Sequence, residues 1–422
     1  MSRTRIRFDR HVTPKGLKIL NFYDPDSKRA GIEFKTKAST SNNPKGKEGI
    51  AHFTEHMLLK ASRDYPTEIE LNKAFEEIGA YHNATTYPYS TVVYTKGGSV
   101  DFERIAYLLK QSVGEFKLTK NFVNSERKVI EKEIIRKFAD ESGESYELMN
   151  SLMFKGSPMQ FGNLGTREKL SKIGMADIQS FVGNNYLANN SVISVWGGVE
   201  SKKVFKTIEK HFNYLNNDPK WEVPKFKFTR DKHLVISKRD SDQVSFDICF
   251  RLPNDITQLY KTSLLKRILS YGFTSRFGNR LRVKESLVYG WNSDSVNGFD
   301  TARLQFSFST AKDKFPRIIK AISEEISLLR EKGVDKLELE HKKSQLLKPF
   351  EWNMETAGDY ASWYIDQELF WPEDIETPVE YMGRIKAVTA RQIINHARKY
   401  LTSDNWFMTV VGDVKSKPIL KI

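Results

Sequence analysis

His52, Glu55 and His56 fall within five residues of one another in the run GIAHFTEHMLLKAS, residues 49–62. The run holds good helix formers and no proline or glycine after Gly49, which predicts a helix. A helix sets residues i and i+4 side by side, with Cβ atoms about 5–6 Å apart, so both imidazoles reach one cation. Zinc suits such a pair, because a catalytic zinc takes about three protein ligands and keeps one position for water. Cobalt or manganese can fill the same donors. Glu55 leans over the same face without having to bind the ion, and a free carboxylate there is placed to act as a general base. The chemistry this predicts is attack of an activated water on a polarised carbonyl. Two half-buried histidines of an ordinary core helix would show the same spacing, so a third ligand is the test.

Candidates for that ligand lie in NSERKVIEKEIIRK, residues 124–137, a predicted amphipathic helix. Glu126 and Glu133 are seven apart and share a face, while Glu131 is rotated away. Spacing alone does not choose among the three.

The chain around these residues has 422 positions, 39% hydrophobic and 28% charged, which is the balance of a folded protein with two or three domains. Its formal charge of +14 is spread among acidic residues, as in LREKGVDKLELEHKK, so it reads as solvated helix faces and predicts no nucleic-acid partner. Cys249, the single cysteine, excludes an internal disulfide and a multi-cysteine zinc cluster. No apolar run approaches the about 18 residues of a membrane span, and the arginine-bearing start lacks a secretory apolar core. A soluble chain of the cytoplasm or an organelle matrix, with no membrane partner, is the expectation.

Two stretches repeat. SFVGNNYLANNSVISVWGGV (180–199) is echoed by NHARKYLTSDNWFMTVVGDV (395–414), each a helix, a Tyr-Leu pair, a polar turn and a β-branched strand ending on glycine. TVVYTKGGSVDFERIAYLL (91–109) is echoed by ARLQFSFSTAKDKFPRIIKAI (302–322), with Phe102 matching Phe315 and Ile105 matching Ile318. The common offset predicts a duplicated α+β domain, each copy a mostly antiparallel sheet packed with helices. The boundaries expected are 1–215 for a metal-binding catalytic domain, 216–228 for a linker broken by Pro219 and Pro224, and 229–422 for the second copy. The second copy's LLKRILSYG (264–272) stands where the first has its histidines and carries no ligands.

The H-x-x-E-H order, with a glutamate about 76 residues beyond its last histidine, resembles the pitrilysin–insulysin family of zinc peptidases, which includes the mitochondrial processing peptidase. The resemblance implies that His52, His56 and Glu133 hold one zinc per chain, that Glu55 is the base and that Glu126 supports the site. HNATTYPYSTVVY (82–94) is similar to the family's Asn-Ala-x-Thr edge strand, which implies that Asn83, Ala84 and Thr86 bind a peptide backbone. Pro88 departs from the pattern, and a proline is tolerated on an edge. His82 beside them reads as a structural histidine. SRFGNRLRVKESLVYG (275–290) resembles the segment whose Arg and Tyr bind the substrate carbonyl and the oxyanion, here Arg282 and Tyr289. Glu285 and Ser286 replace a basic-Gly pair that most relatives have before the leucine. FGNLGTREKLSKI (161–173) is a further landmark, so the likeness runs along nearly the whole chain.

Family members enclose peptides between two pairs of such domains, and this chain supplies one pair. The resemblance therefore implies a zinc endopeptidase acting on short or unfolded peptides, with Arg282 and Tyr289 completing a partner chain's site in a homodimer. The alternatives are a heterodimer with a related chain, as one subunit of a processing peptidase, and a non-catalytic peptide-binding subunit. The four motif residues stand against that last reading, since non-catalytic members usually lack them.

Overall fold

The computed structural model describes residues 6–222, 224–226, 233–253, 255–288, 290–297 and 302–422. The chain forms two compact units, each assembled from segments of both halves. The first comprises Met1–Ile134, Phe161–Pro224 and Trp352–Glu376; the second comprises Ile135–Gln160, Lys225–Glu351 and Thr377–Ile422. Of the expected linker, residues 216–222 and 224–226 form neither helix nor strand, and residues 223, 227 and 228 lie outside the described residues.

In the first unit β1 (Arg7–Val12), β2 (Lys18–Tyr23), β3 (Arg29–Thr36), β4 (Tyr81–Thr86), β5 (Thr91–Gly98) and β6 (Ser191–Gly197) form a sheet of order β1-β2-β6-β3-β5-β4. Only β2 and β6 run parallel. Period-two alternation divides β3: Ala30, Ile32 and Phe34 enter the core with Phe53 and Met57, while Gly31, Glu33 and Lys35 point to the opposite face. Burying each large apolar side chain contributes about 1.5–3 kcal/mol. The helix Ala357–Phe370, from the second half of the sequence, covers the opposite face. Arg10 grips its Glu368 with two bonds of 2.9 and 2.7 Å, and Lys35 meets its Asp366 at 2.6 Å.

The second unit repeats the plan. Its strands β7 (Leu234–Ser237), β8 (Gln243–Leu252), β9 (Trp291–Asn297), β10 (Ala302–Ala311) and β11 (Trp406–Val411) are ordered β7-β11-β8-β10-β9, again with one parallel pair, β7 and β11. Removing β1 from the first sheet leaves the same order, so the duplication seen in the sequence is a duplication of topology. The helix covering this sheet, Glu141–Met153, comes from the first half of the sequence. Register places Glu33, opposite Tyr94 and Ser194, at the same point as Asp247, opposite Ser307 and Thr409.

Candidate metal centre

The motif helix is Ile50–Leu58. Its apolar residues Ile50, Phe53 and Met57 are fully buried, which turns His52, Glu55 and His56 to the half-buried face. Its N-cap residue, Gly49, has no side chain to cap it. Gly49 has φ 104°, and a Cβ there would lie 2.7 Å from the carbonyl oxygen of Leu164. The buried Asn43 Oδ1 accepts the Ala51 amide at 3.0 Å and so satisfies an early helix N–H.

The two imidazoles sit with centroids 4.6 Å apart and planes at 64°. Glu133 comes from the helix Lys120–Lys137, and its Oε2 lies 3.9 Å from His52 Nε2 and 3.7 Å from His56 Nε2. Among the described residues these three are the group of donors able to hold one cation, all within 4.8 Å of one another. A tetrahedral zinc with bonds of 2.0–2.1 Å needs donors about 3.3–3.4 Å apart, so the Glu133 carboxylate stands within roughly half an ångström of that separation from each imidazole. Two neutral nitrogens and one carboxylate are also the donor chemistry zinc takes in hydrolytic sites. The donors fit the ion.

Glu126, on the same helix face as Glu133, is buried at 4% exposure and its Oε2 stands 2.9 Å from His56 Nδ1. Its Oε1 accepts from Lys60 Nζ at 2.9 Å, and the same ammonium reaches Glu68 at 2.9 Å. Burial would raise the Glu126 carboxyl, yet the bonds from His56 and Lys60 hold it below the usual carboxylate range. Glu55 behaves oppositely: burial raises it, and the Thr86 hydroxyl and amide and the charge of His56 only partly offset that.

β4 is the last strand in its sheet, so one backbone edge has no neighbouring strand among the described residues. Ala84 and Thr86 turn inward, and Asn83 is exposed, with its Oδ1 on the Ala84 amide at 2.8 Å and its Nδ2 donating to the Tyr81 hydroxyl at 3.2 Å. Pro88 lies beyond the strand, in the turn closed by the Tyr87 amide on the Ser90 carbonyl at 2.7 Å. His82 stacks on Phe75 at 3.9 Å and burial lowers its pKa. It does not join the metal group.

In the second unit Arg282 lies in the π-helical segment Gly278–Lys284, donates to the Val288 carbonyl at 3.4 Å and lines a cavity of about 780 Å³ with Asp247, Ser307 and Lys314. Tyr289 lies outside the described residues. Ser286, noted above for replacing a glycine, takes φ 48°, and among the described residues it is the only non-glycine with positive φ. The stretch Leu264–Gly272 puts Leu264, Leu265, Ile268 and Leu269 in the core instead of ligands on a surface. Sequence reasoning missed Lys60; its signal was the i+4 spacing from His56.

A chain with this duplicated sheet, an inverted histidine motif and a distant glutamate beside it has the build of a two-domain metallopeptidase. Residues 18–167 match the family model described as insulinase, peptidase family M16, and residues 172–346 match the one described as the peptidase M16 inactive domain. The chain belongs to peptidase family M16. It is 27% identical over 390 residues to an "Uncharacterized zinc protease" of Rickettsia bellii, covering 92% of this chain and 93% of that one. Over 447 residues it is 22% identical to the "Mitochondrial-processing peptidase subunit beta" of Neurospora crassa, covering 98% and 90%. A solved protease from Helicobacter pylori shares the fold with TM-score 0.86 at 20% identity, over 96% of this chain and 99% of that one.

Proposed function

We propose that the chain is a zinc endopeptidase that hydrolyses short or unfolded peptides. The observation that carries this reading is the meeting of His52, His56 and Glu133 at one point, with Glu55 free beside them and Glu126 behind His56. In this reading the first three residues hold one zinc. The ion supplies Lewis acidity, polarising the scissile carbonyl and bringing the pKa of a water to about 7. Glu55 takes the proton of the attacking water and passes it to the leaving amine. His56 Nδ1–H donates a hydrogen bond to Glu126, which leaves the Nε2 lone pair for the ion. The peptide adds as a strand to the free edge of β4, through the backbone of Asn83, Ala84 and Thr86. Arg282 and Tyr289 stabilise the oxyanion in the site of a partner chain, so the active form is a homodimer. The cytoplasm or an organelle matrix is its place.

The relative named as a subunit supports a second arrangement, a heterodimer in which a related chain supplies the Arg–Tyr pair. The test is cleavage of quenched-fluorescence peptides by the wild type, by Glu55→Gln and in the presence of a chelator. Cleavage that survives either control refutes the metallopeptidase reading. Mixing His56→Ala with Tyr289→Phe then separates the assemblies: a homodimer with shared sites regains activity, and a chain needing a different partner does not.

A further inference from the structure

The geometry points to Lys60 as a positioning residue of the metal centre, acting on the zinc-binding His56 through Glu126; this inference rests on the metal reading above. Lys60 lies one turn beyond His56, just past the end of the motif helix, on the same side. The Glu126 carboxylate is buried, and its two oxygens do separate work: Oε2 faces His56 Nδ1 at 2.9 Å and Oε1 takes the Lys60 ammonium at 2.9 Å. A carboxylate held by one oxygen alone turns about its Cγ–Cδ bond; held at both, it presents Oε2 to the imidazole in one orientation. Lys60 is itself pinned from the far side by Glu68, in the first turn of the helix Glu68–Glu76. That helix start carries a full capping box on Thr67, so Glu68 sits on a fixed backbone. A chain of charge-assisted hydrogen bonds thus runs from Glu68 through Lys60 and Glu126 to the ring that would bind the ion.

Partners one step behind a metal ligand change metal affinity by about 10–100-fold when removed. Lys60 stands two steps behind, so Lys60→Met is expected at the low end, about a tenfold loss of zinc affinity. The experiment is chelator competition with zinc at pH 8 on the wild type, Lys60→Met, Lys60→Arg and Glu126→Gln, with a thermal melt of each metal-free protein. Lys60→Arg restores a donor to Glu126 and is expected within about threefold of wild type, a rescue that charge-assisted donation explains. Should Lys60→Met fail to fold, Lys60→Gln takes its place in the same titration. Zinc affinity unchanged in Lys60→Met while Glu126→Gln loses it would overturn the inference, as would a loss that Lys60→Arg does not recover. A lowered melt with unchanged affinity would make Lys60 a helix tie only. A wild type that binds no zinc would instead overturn the metal reading beneath it.

Discussion

Glu33→Gln and Asp247→Asn should move stability in opposite directions, although the two carboxylates hold the same point of equivalent sheets. Asp247 is buried and accepts from Ser145 Oγ at 2.5 Å, from Gln305 Nε2 at 2.9 Å and from the Ser307 hydroxyl. Glu33 faces Tyr94 and Lys96 on β5, Lys35 on its own strand and Asp366 on the covering helix. Among the described residues no side chain hydrogen-bonds to it. Burial therefore raises its carboxyl; Lys35 and Lys96 draw it down, and Asp366 pushes it further up. Glu33 is half-buried, so its charge costs less than that of a fully enclosed group, and the neutral Gln should stabilise the first unit at pH 8 by about 1 kcal/mol, the low end for a polar group left without partners. The sign follows from linkage. A carboxyl raised on folding binds its proton more tightly in the folded state, so stability is greatest at low pH and falls as pH rises through the folded value. The gain from Gln is thus complete at pH 8 and shrinks towards pH 4. Asp247→Asn loses the charge from three hydrogen bonds, and hydrogen bonds to charged groups contribute about 1.5–3 kcal/mol each, so a cost of about 2–4 kcal/mol is expected. Because two units need not unfold together, the assay is amide hydrogen exchange read separately in β3 and β8, beside melts at pH 4.5 and 8. Loss of stability in Glu33→Gln at pH 8, or a gain that grows as pH falls, would refute the reasoning.

Three further outcomes are expected. Gly49→Ala places a methyl against the Leu164 carbonyl at a positive φ, and should cut both metal-site occupancy and the melting temperature; unchanged zinc binding would show that the helix start tolerates another path. Ser286→Gly relieves a left-handed serine and should stabilise the second unit by about 1 kcal/mol in equilibrium unfolding; a variant no more stable than the wild type would refute the strain reading. Glu55→Gln should keep zinc at the wild-type affinity while losing at least about a hundredfold in peptide cleavage, measured by chelator competition and a fluorogenic peptide.

The group of candidate ligands was legible in the sequence as far as one helix could carry it. His52, Glu55 and His56 are close in sequence, so helical periodicity alone brings them together. The third donor is a tertiary fact: the helix Lys120–Lys137 offers Glu126, Glu131 and Glu133, and which of them faces the imidazoles is set by the burial of Val123, Ile130 and Ile134 against the core. The duplication was legible from Phe102 and Phe315 and from the paired glycine-ended strands. The exchange of covering helices was not, because Glu141–Met153 and Ala357–Phe370 carry ordinary amphipathic patterns that name no particular sheet. What identifies their partners is polar pairing across long separations, Arg10 with Glu368 and Ser145 with Asp247.

The same pairing also marks how the two copies of one fold differ in their polar groups. In the second copy the stretch Leu264–Gly272 spends its helix on Leu264, Leu265, Ile268 and Leu269, all in the core, and the polar point beneath its covering helix is satisfied internally at Asp247. The first copy keeps His52, Glu55 and His56 half-buried along its helix, and leaves Glu33 without an internal donor among the described residues. Polar groups held at such cost accumulate where a protein binds something besides itself. The candidate metal ligands therefore gather in the first unit, with the stability to support them drawn from its core and from the helix Ala357–Phe370 clamped across its sheet.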